Sequence, residues 1–184
     1  MEQVSLTHFR SIPWCRTLIS DPTFTLTPTY SRQPKPNHED SLFALTLISP
    51  TTIPYCLSFY KVPPKDELFI THLQTLFALS TGLNGGPNLL HGGIISTLID
   101  DVMGTLLTVN KDQGGLPLSQ STVTGEMKVR YLRPVRTPGT VVVVAECVKR
   151  EGRRICLEGE VRDVEGVVLA RGEAVWVKVG GGKL

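Results

Sequence analysis

The 184-residue chain lacks the sequence signatures of several common enzyme classes. It contains no G-x-S-x-G turn for a nucleophilic serine and no G-x-x-x-x-G-K loop for nucleotide phosphates. Its four cysteines form no C-x-x-C pair and show no metal-ligand spacing. These absences argue against a serine hydrolase, a nucleotide hydrolase and a metalloenzyme, and we expect the protein to need no metal or redox cofactor.

A large net charge and a long apolar run are also missing. The formal net charge of +2 gives no reason to expect a nucleic-acid partner, although it permits a local basic patch for a phosphorylated ligand. No apolar run approaches the roughly 18 residues of a membrane span. With 41% hydrophobic and 20% charged residues, the composition is typical of one globular domain with an extension.

The first twenty residues carry an ambiguous signal. No secretory signal is recognisable, so reduced thiols and a cytoplasmic location are the default expectation. Arg10 and Arg16, in a stretch with few acids, also fit a mitochondrial presequence, which keeps the mitochondrion as the alternative. A third interpretation is a docked segment with an apolar face of Phe9, Ile12, Trp14 and Leu18.

The run from residue 88 to residue 108 is the most informative stretch of the chain. After His91 its apolar residues cover most of a helical circumference, which predicts a helix buried on nearly all sides. Asp100 lies in the middle turns, where a charge is costly unless it is paired, hydrogen-bonded or used. The helix start presents unpaired N–H groups, and Gly92 and Gly93 let a ligand oxygen approach them. This combination suggests a chemical role.

The same stretch resembles the hotdog-fold acyl-CoA thioesterases, in particular the phenylacetic-acid-degradation and thioesterase-superfamily-member type. The resemblance rests on His91-Gly92-Gly93, on Asp100 seven residues after Gly93, and on a later strand ending in Tyr131-Leu132-Arg133-Pro134. It covers roughly residues 52–179. It implies an α+β hotdog fold, in which a long antiparallel β-sheet wraps around one central apolar helix, and hydrolysis of a fatty or aromatic acyl-CoA substrate.

Thioester hydrolysis gives each part of this helix a role. The Gly92 N–H, reinforced by the helix dipole, suits polarisation of the thioester carbonyl, and Asp100 suits direct attack or the activation of water. The two residues are eight positions apart, about 12 Å along a helix axis, so one chain can hardly place both on one carbonyl. We therefore expect a homodimer with two shared active sites, as the resemblance also implies. A dimer of dimers stays open.

Two further residues are catalytic candidates, each with a structural alternative. His91 is a general acid or base, or it orients the loop. Thr124 stands where relatives of this type often carry a Ser or Thr near the attacking water; otherwise it is an ordinary strand threonine. The chain departs from the family at Gly85, where related enzymes often carry an Asn or Gln that helps to hold the carbonyl. Asn84 and Asn88 are nearby, but neither is in register.

Four residues are candidates for binding the rest of the substrate. Gly93 and Asn88 flank the helix start, while Arg130 and Arg133 lie near the end of one strand and could bind CoA phosphates. For any single arginine, a solvated charge that keeps the sheet edge soluble is an equal alternative.

The chain divides into an N-terminal extension with a linker, residues 1–50, and the hotdog domain, residues 51–184. Residues 21–40 carry four prolines and predict a surface linker. Alternating residues predict two strands before the helix and four after it, the last four as an antiparallel meander.

One hairpin register follows from counting residues. A two-residue turn at Glu151-Gly152 places Cys147 directly opposite Cys156, as two neighbouring free thiols. The same register places Arg153 and Arg154 near the ligand.

Three other functions on the same fold stay open: a non-catalytic acyl-CoA-binding regulatory module, a hydratase of enoyl thioesters, and a partner-binding protein. An intact Asp100 counts against the first, because a sensor needs no buried charge beside the thioester. The spacing of His91 and Asp100 does not fit the hydratase pattern. Release of free thiol from acyl-CoA would separate hydrolysis from all three.

Overall fold

The computed structural model describes residues 2–180. Its helices are α1 (Glu2–Arg10), α2 (Pro13–Ile19) and α3 (Gly92–Asp112). Short 3-10 turns span Tyr30–Arg32 and Thr81–Leu83, and a π-helical turn spans Leu42–Thr46. The strands are β1 (Phe24–Thr27), β2 (Cys56–Lys61), β3 (His72–Leu79), β4 (Asn84–Gly86), β5 (Leu89–Leu90), β6 (Ser121–Tyr131), β7 (Gly139–Glu151), β8 (Arg154–Arg162) and β9 (Val168–Val179).

Seven strands form one antiparallel sheet in the order β1-β2-β3-β7-β8-β9-β6, and α3 packs against one face of it. This arrangement confirms the predicted α+β hotdog fold. Several apolar side chains of α3 have no exposed surface, as its sequence predicts: Leu98, Ile99, Val102, Met103, Leu106 and Leu107. Gly159 and Gly172 face each other on β8 and β9 beneath Ile99, where a Cβ would come within 2.8 and 2.7 Å of its Cγ2. The two glycines therefore let the helix approach the sheet closely.

The length and apolar composition of α3 also satisfy the criteria for a membrane span, with a mean hydropathy of 1.3 over an 18-residue window. The helix is not an uninterrupted apolar run, because Asp100 and Asp101 lie in its middle. Its position against the sheet accounts for the composition, because a core helix covered by strands must be apolar on most sides.

The predicted four-strand meander is wrong for its first strand. β7, β8 and β9 are neighbours in the sheet. β6 instead pairs with β9 at the far edge, so it is not hydrogen-bonded to β7. The connection between β6 and β7, residues 132–138, is too long for a tight hairpin and carries the chain across the sheet. β7 consequently pairs with β3, which makes the two halves of the sheet continuous.

The N-terminal helices cover the outer face of the sheet. Phe9 and Cys15 have no exposed surface and pack with apolar residues of β2, β3 and β7. Pro13 begins α2, where its missing N–H costs nothing, so the segment forms two short helices. Residues 2–19 therefore form the docked segment that was one interpretation of the sequence. A role of these residues in targeting stays a prediction.

The prediction of a surface linker over residues 21–40 is wrong for residues 24–32, whereas residues 33–40 are irregular and mostly exposed. β1 is hydrogen-bonded to β2 as an edge of the main sheet, and the Arg32 side chain is only 7% exposed. The prolines suggested an irregular exposed segment, but strand pairing and a buried guanidinium hold it in place. The domain boundary between residues 50 and 51 stays a prediction, and residues 181–184 of that domain lie outside the described part of the chain.

The predicted hairpin register is also wrong. Gly152 has a φ of +56°, and Glu151 pairs with Arg154, so the two turn residues are Gly152 and Arg153. A positive φ at the first central position is what tight hairpin turns require. A further register shift between residues 147 and 149 leaves Cys147 opposite Leu157 and Cys156 opposite Lys149. The proposed placing of Arg153 and Arg154 near the ligand therefore loses its basis.

Candidate active site

The start of α3 is organised by His91, its N-cap residue. The His91 Nδ1 accepts a hydrogen bond from the Gly93 N–H at 2.9 Å, and the His91 backbone N–H donates to the Leu83 oxygen at 2.9 Å. A ring nitrogen that accepts carries no proton, so the neutral ring has its hydrogen on Nε2. Within residues 2–180 the Gly92 N–H has no hydrogen-bond acceptor, which leaves it available to a ligand oxygen.

Tyr131, at the end of β6, lies over the first turn of α3. Its hydroxyl is 2.6 Å from the Ser96 Oγ and donates to the Gly92 carbonyl oxygen at 3.2 Å. Neither Tyr131 nor Ser96 was predicted as a site residue. The available signal was the one-turn spacing from Gly92 to Ser96, which places both on one side of the helix.

A cleft of about 380 Å³ opens beside Gly92 and Tyr131. Its walls are mainly apolar, so it can take an uncharged part of a ligand next to the free N–H. The other lining residues include Leu89, Leu90, Ile95, Leu132 and Arg133.

Asp100 and Thr124 meet on the same side of α3. The Thr124 Oγ1 donates to the Asp100 Oδ1 at 2.8 Å. Because one carboxylate oxygen is held in this way, the other is free to accept a proton or to attack. The structure thus brings together two of the predicted catalytic residues.

A β-bulge explains how Thr124 reaches the helix. Simple alternation along β6 groups Thr124 with Glu126, on the face opposite Met127. The register shifts between Thr124 and Glu126, so Gly125 is an extra residue and the alternation reverses there. Thr124 consequently shares the helix-facing side with Met127.

Trp176 forms the wall behind this pair. It lies directly opposite Thr124 on β9 and is 8% exposed. Its ring packs on α3 at Gly104, where a Cβ would be 3.1 Å from the ring edge. Gly104 follows Asp100 by one helical turn, so the indole closes the space beyond the carboxylate.

The two halves of the candidate site remain separate within one chain. His91, Gly92 and Tyr131 cluster at the helix start, while Asp100 and Thr124 cluster about two turns later, roughly 12 Å along the axis. The chain alone therefore does not bring the carbonyl-polarising group and the carboxylate to one reacting atom.

Gly85 has a packing reason to be glycine. A Cβ at this position would lie 2.9 Å from the His91 Cα, so no larger residue fits without displacing the helix start. The Asn84 side chain accepts a hydrogen bond from the Thr137 hydroxyl. Asn88 has a φ of 55° in the turn between β4 and β5, a conformation that asparagine tolerates better than most residues.

The two candidate arginines lie in different places. Arg133 lines the cleft beside Gly92, and its Nη1 donates to the Val168 oxygen at 3.2 Å. The Arg130 Nη1 is 3.4 Å from a carboxylate oxygen of Glu173, and both side chains are about half exposed. Arg130 alternates with Tyr131 and so points away from the helix, to the outer face of the sheet.

Asp101, the residue after Asp100, is covered by the N-terminal segment. Its Oδ2 accepts a hydrogen bond from the Ser31 Oγ at 3.2 Å. Burial raises the pKa of Asp101 to about 7, although Ser31 and Arg32 oppose that shift. Two consecutive acids on α3 are therefore in different environments, one facing β6 and one facing the Tyr30–Arg32 turn.

The chain resembles known proteins over this region. Residues 87–170 match the family described as the thioesterase superfamily. Verlamelin biosynthesis protein B of Lecanicillium sp is 30% identical over 164 residues, with 74% of this chain and 71% of that protein covered. The acyl-coenzyme A thioesterase THEM4 of Bos taurus is 33% identical over 90 residues, which cover 49% of this chain and 33% of that protein.

A similar solved structure is that of a Bacillus halodurans protein with CoA. It is 31% identical with a TM-score of 0.50, and the match covers 58% of this chain and 66% of that one. This chain thus spans a third of the length of the bovine protein and just under two thirds of the bacterial one.

Proposed function

Because the chain belongs to the thioesterase superfamily, we propose that it hydrolyses the thioester of a fatty or aromatic acyl-CoA to the free acid and CoA. The observation that carries this proposal is the hydrogen bond from Thr124 to Asp100. The choice of acyl-CoA is supported by two relatives, since the bovine protein is named an acyl-coenzyme A thioesterase and the Bacillus halodurans structure was solved with CoA.

The Gly92 N–H polarises the thioester carbonyl. It stands at the start of a 21-residue helix, where the helix dipole contributes about half a positive charge. The carbonyl oxygen gains negative charge as the tetrahedral intermediate forms, so this hydrogen bond strengthens in the transition state. The Tyr131 hydroxyl donates to the Gly92 carbonyl oxygen, in the peptide unit that follows the N–H, and so holds its ring over the first turn of the helix.

Asp100 acts on water or directly on the carbonyl. As a base, it takes a proton from water while the hydroxide oxygen bonds to the carbonyl carbon; the C–S bond then breaks, and the CoA sulfur takes that proton. As a nucleophile, it forms a mixed anhydride with loss of CoA thiolate, and water then hydrolyses the anhydride. Thr124 orients the carboxylate in either route.

The reaction requires two chains. Gly92 of one subunit and Asp100 of the other meet at one carbonyl in a twofold homodimer, because the separation within one chain is too large. β6 forms an edge of the sheet, with backbone groups free to pair with a second chain. A dimer of dimers stays a prediction.

The remaining candidates bind or orient the substrate. The His91 Nε2–H is placed to donate to the ligand, while its Nδ1 holds Gly93. Arg133, in the cleft, is the better candidate for a CoA phosphate than Arg130, which already pairs with Glu173. Asn88 shapes the entry to the helix. The cytoplasm is the proposed location, with the mitochondrion as the alternative.

Asp100→Asn tests the proposed chemistry. Release of CoA thiol would be followed with acetyl, medium-chain, long-chain and aromatic acyl-CoAs, and we expect a loss of at least about a thousandfold in kcat with the preferred substrate. Asp112→Asn is the matched control, because it makes the same change at an exposed position on the same helix. Activity of Asp100→Asn within about threefold of the control would remove Asp100 from the mechanism.

The second candidate function is a non-catalytic acyl-CoA-binding regulatory module. Gly85 favours it, because the amide that often helps to hold the carbonyl in related enzymes is absent there. Binding of an acyl-CoA without any thiol release, across the whole substrate panel, would support this function over hydrolysis.

A further inference from the structure

A cavity of about 440 Å³ lies between α1, residues 29–33 and the start of β2. Its volume falls in the range of about 300–1,000 Å³ that is common for small-molecule sites. None of its lining residues belongs to the candidate active site. It is therefore a second place where the chain could hold a ligand.

Arg32 lines this cavity with part of its hydrogen-bonding capacity unused. A guanidinium has five N–H donors. Nη1 donates to the Phe43 and Leu47 oxygens at 3.2 and 3.3 Å, and Nη2 donates to the Ile53 oxygen at 2.6 Å. The Nε–H and one Nη2–H have no acceptor within residues 2–180. These two nitrogens are adjacent, as binding of one carboxylate requires.

The positive charge of Arg32 makes no ion pair with a carboxylate of residues 2–180. Arg32 is only 7% exposed, and Asp101 acts on its charge without direct contact. Three carbonyl oxygens supply only partial negative charge. Burial lowers the pKa of Arg32, as expected for a cation that is incompletely compensated.

The cavity walls suit a short apolar tail. Val4 and Pro54 are aliphatic, and the Tyr55 ring is held by stacking on His8 with ring centroids 4.0 Å apart. Glu2 adds one acid to the wall. Its charge should weaken the binding of any anion.

We propose that this cavity binds a carboxylic acid with a short aliphatic tail. The carboxylate accepts from the free Nε–H and Nη2–H of Arg32, and the tail lies against Val4, Pro54 and Tyr55. Acids of this class are products of the proposed reaction, but the binding does not depend on it and would stand if the chain hydrolysed nothing.

Calorimetric titration of the full chain tests this site. Hexanoate is the probe, acetate lacks the tail, and 1-hexanol lacks the carboxylate. Each titration is run without CoA and again with saturating CoA, which competes for the candidate active site. We expect one hexanoate per chain, bound at least about tenfold more tightly than acetate or 1-hexanol. Equal affinity for hexanoate and either comparator, or loss of hexanoate binding on addition of CoA, would overturn the proposal.

Glu2→Gln is expected to raise the affinity for hexanoate, a result that misfolding cannot produce. Removing this charge should tighten hexanoate binding by about three- to tenfold, whereas Glu165→Gln, which removes the same charge at an exposed turn, should leave it within about twofold. An unchanged affinity in Glu2→Gln would contradict the assignment of the ligand to this cavity.

Arg32→Lys tests the guanidinium itself. The variant keeps the charge but loses the paired donors, so we expect hexanoate affinity to fall at least about tenfold. Because Arg32 also holds three carbonyl oxygens, near-ultraviolet circular dichroism must first show a native fold. Undiminished binding by a folded Arg32→Lys chain would exclude Arg32 as the ligand. If that variant does not fold, the Glu2→Gln result decides.

Discussion

The Thr124 hydroxyl donates a hydrogen bond of 2.8 Å to the Asp100 carboxylate, across the gap between β6 and α3. This contact orients the carboxylate and leaves one of its oxygens free. A residue whose role is orientation can be replaced by another donor of similar reach, but not by an isosteric apolar side chain.

Thr124→Val and Thr124→Ser therefore form a matched pair. Valine keeps the branched shape and removes the donor, so we expect kcat to fall by about 10- to 100-fold with a smaller change in KM. Serine retains the hydroxyl and should stay within about fivefold of the parent. Thr124 would be an ordinary strand residue if the valine variant kept full activity in a steady-state assay.

Gly92→Pro removes the N–H that we propose to polarise the carbonyl, without removing the helix start. Proline is favoured at the first helical position, and His91 has an extended ψ of 134°, which suits a residue before proline. We expect kcat to fall by about 100- to 1,000-fold, as for the loss of one oxyanion donor.

Gly92→Ala is the control for added bulk. Its Cβ would meet Tyr131 at an ordinary 3.5 Å, and it keeps the N–H, so most activity should survive. Similar losses in the proline and alanine variants would indicate that bulk, and not the N–H, matters at this position.

Gly85 and Gly86 are neighbours with different surroundings. Gly85→Ala would place a Cβ 2.9 Å from the His91 Cα, whereas a Cβ at Gly86 has its nearest neighbour at 4.0 Å. We expect Gly85→Ala to lower the free energy of unfolding by about 1–3 kcal/mol and to reduce activity, because the helix start must move. Gly86→Ala should have a much smaller effect. Urea titration of both variants measures this difference. Equal unfolding midpoints would contradict the prediction.

The raised pKa of Asp101 predicts a pH dependence of stability. The folded chain keeps this proton up to a pKa of about 7, while the unfolded chain loses it near 4, so stability falls as pH rises between those values. Asp101→Asn removes that fall. Relative to the parent, the variant should gain up to about 4 kcal/mol of unfolding free energy between pH 4 and pH 8. Parallel stability curves for parent and variant would refute the assigned shift.

The central helix could be predicted from the sequence, with Gly92 at its start and Asp100 in its middle turns. The apolar pattern of α3 extends over five turns, and a glycine pair followed by mid-helix acids is a local signal. Placing Thr124 required the family resemblance, because strict alternation puts it on the wrong face and only the bulge at Gly125 corrects this.

Features that depend on distant contacts could not be predicted. The burial of Arg32 results from carbonyl oxygens 11 to 21 residues away, which no local pattern reveals. The position of β6 at the far edge of the sheet depends on a crossing connection and not on its own residues. The hairpin register failed because the turn starts at Gly152 and a second irregularity follows at residue 148.

Mixing two inactive chains tests most directly the claim that Gly92 of one subunit and Asp100 of the other hydrolyse one thioester. Asp100→Asn and Gly92→Pro chains, reassociated in equal amounts, should form mixed dimers with one intact site of two. Because about half of all dimers are mixed, thiol release should recover to about a quarter of the parent activity. A mixture as inactive as its components, with subunit exchange verified by differently tagged chains, would contradict a shared site.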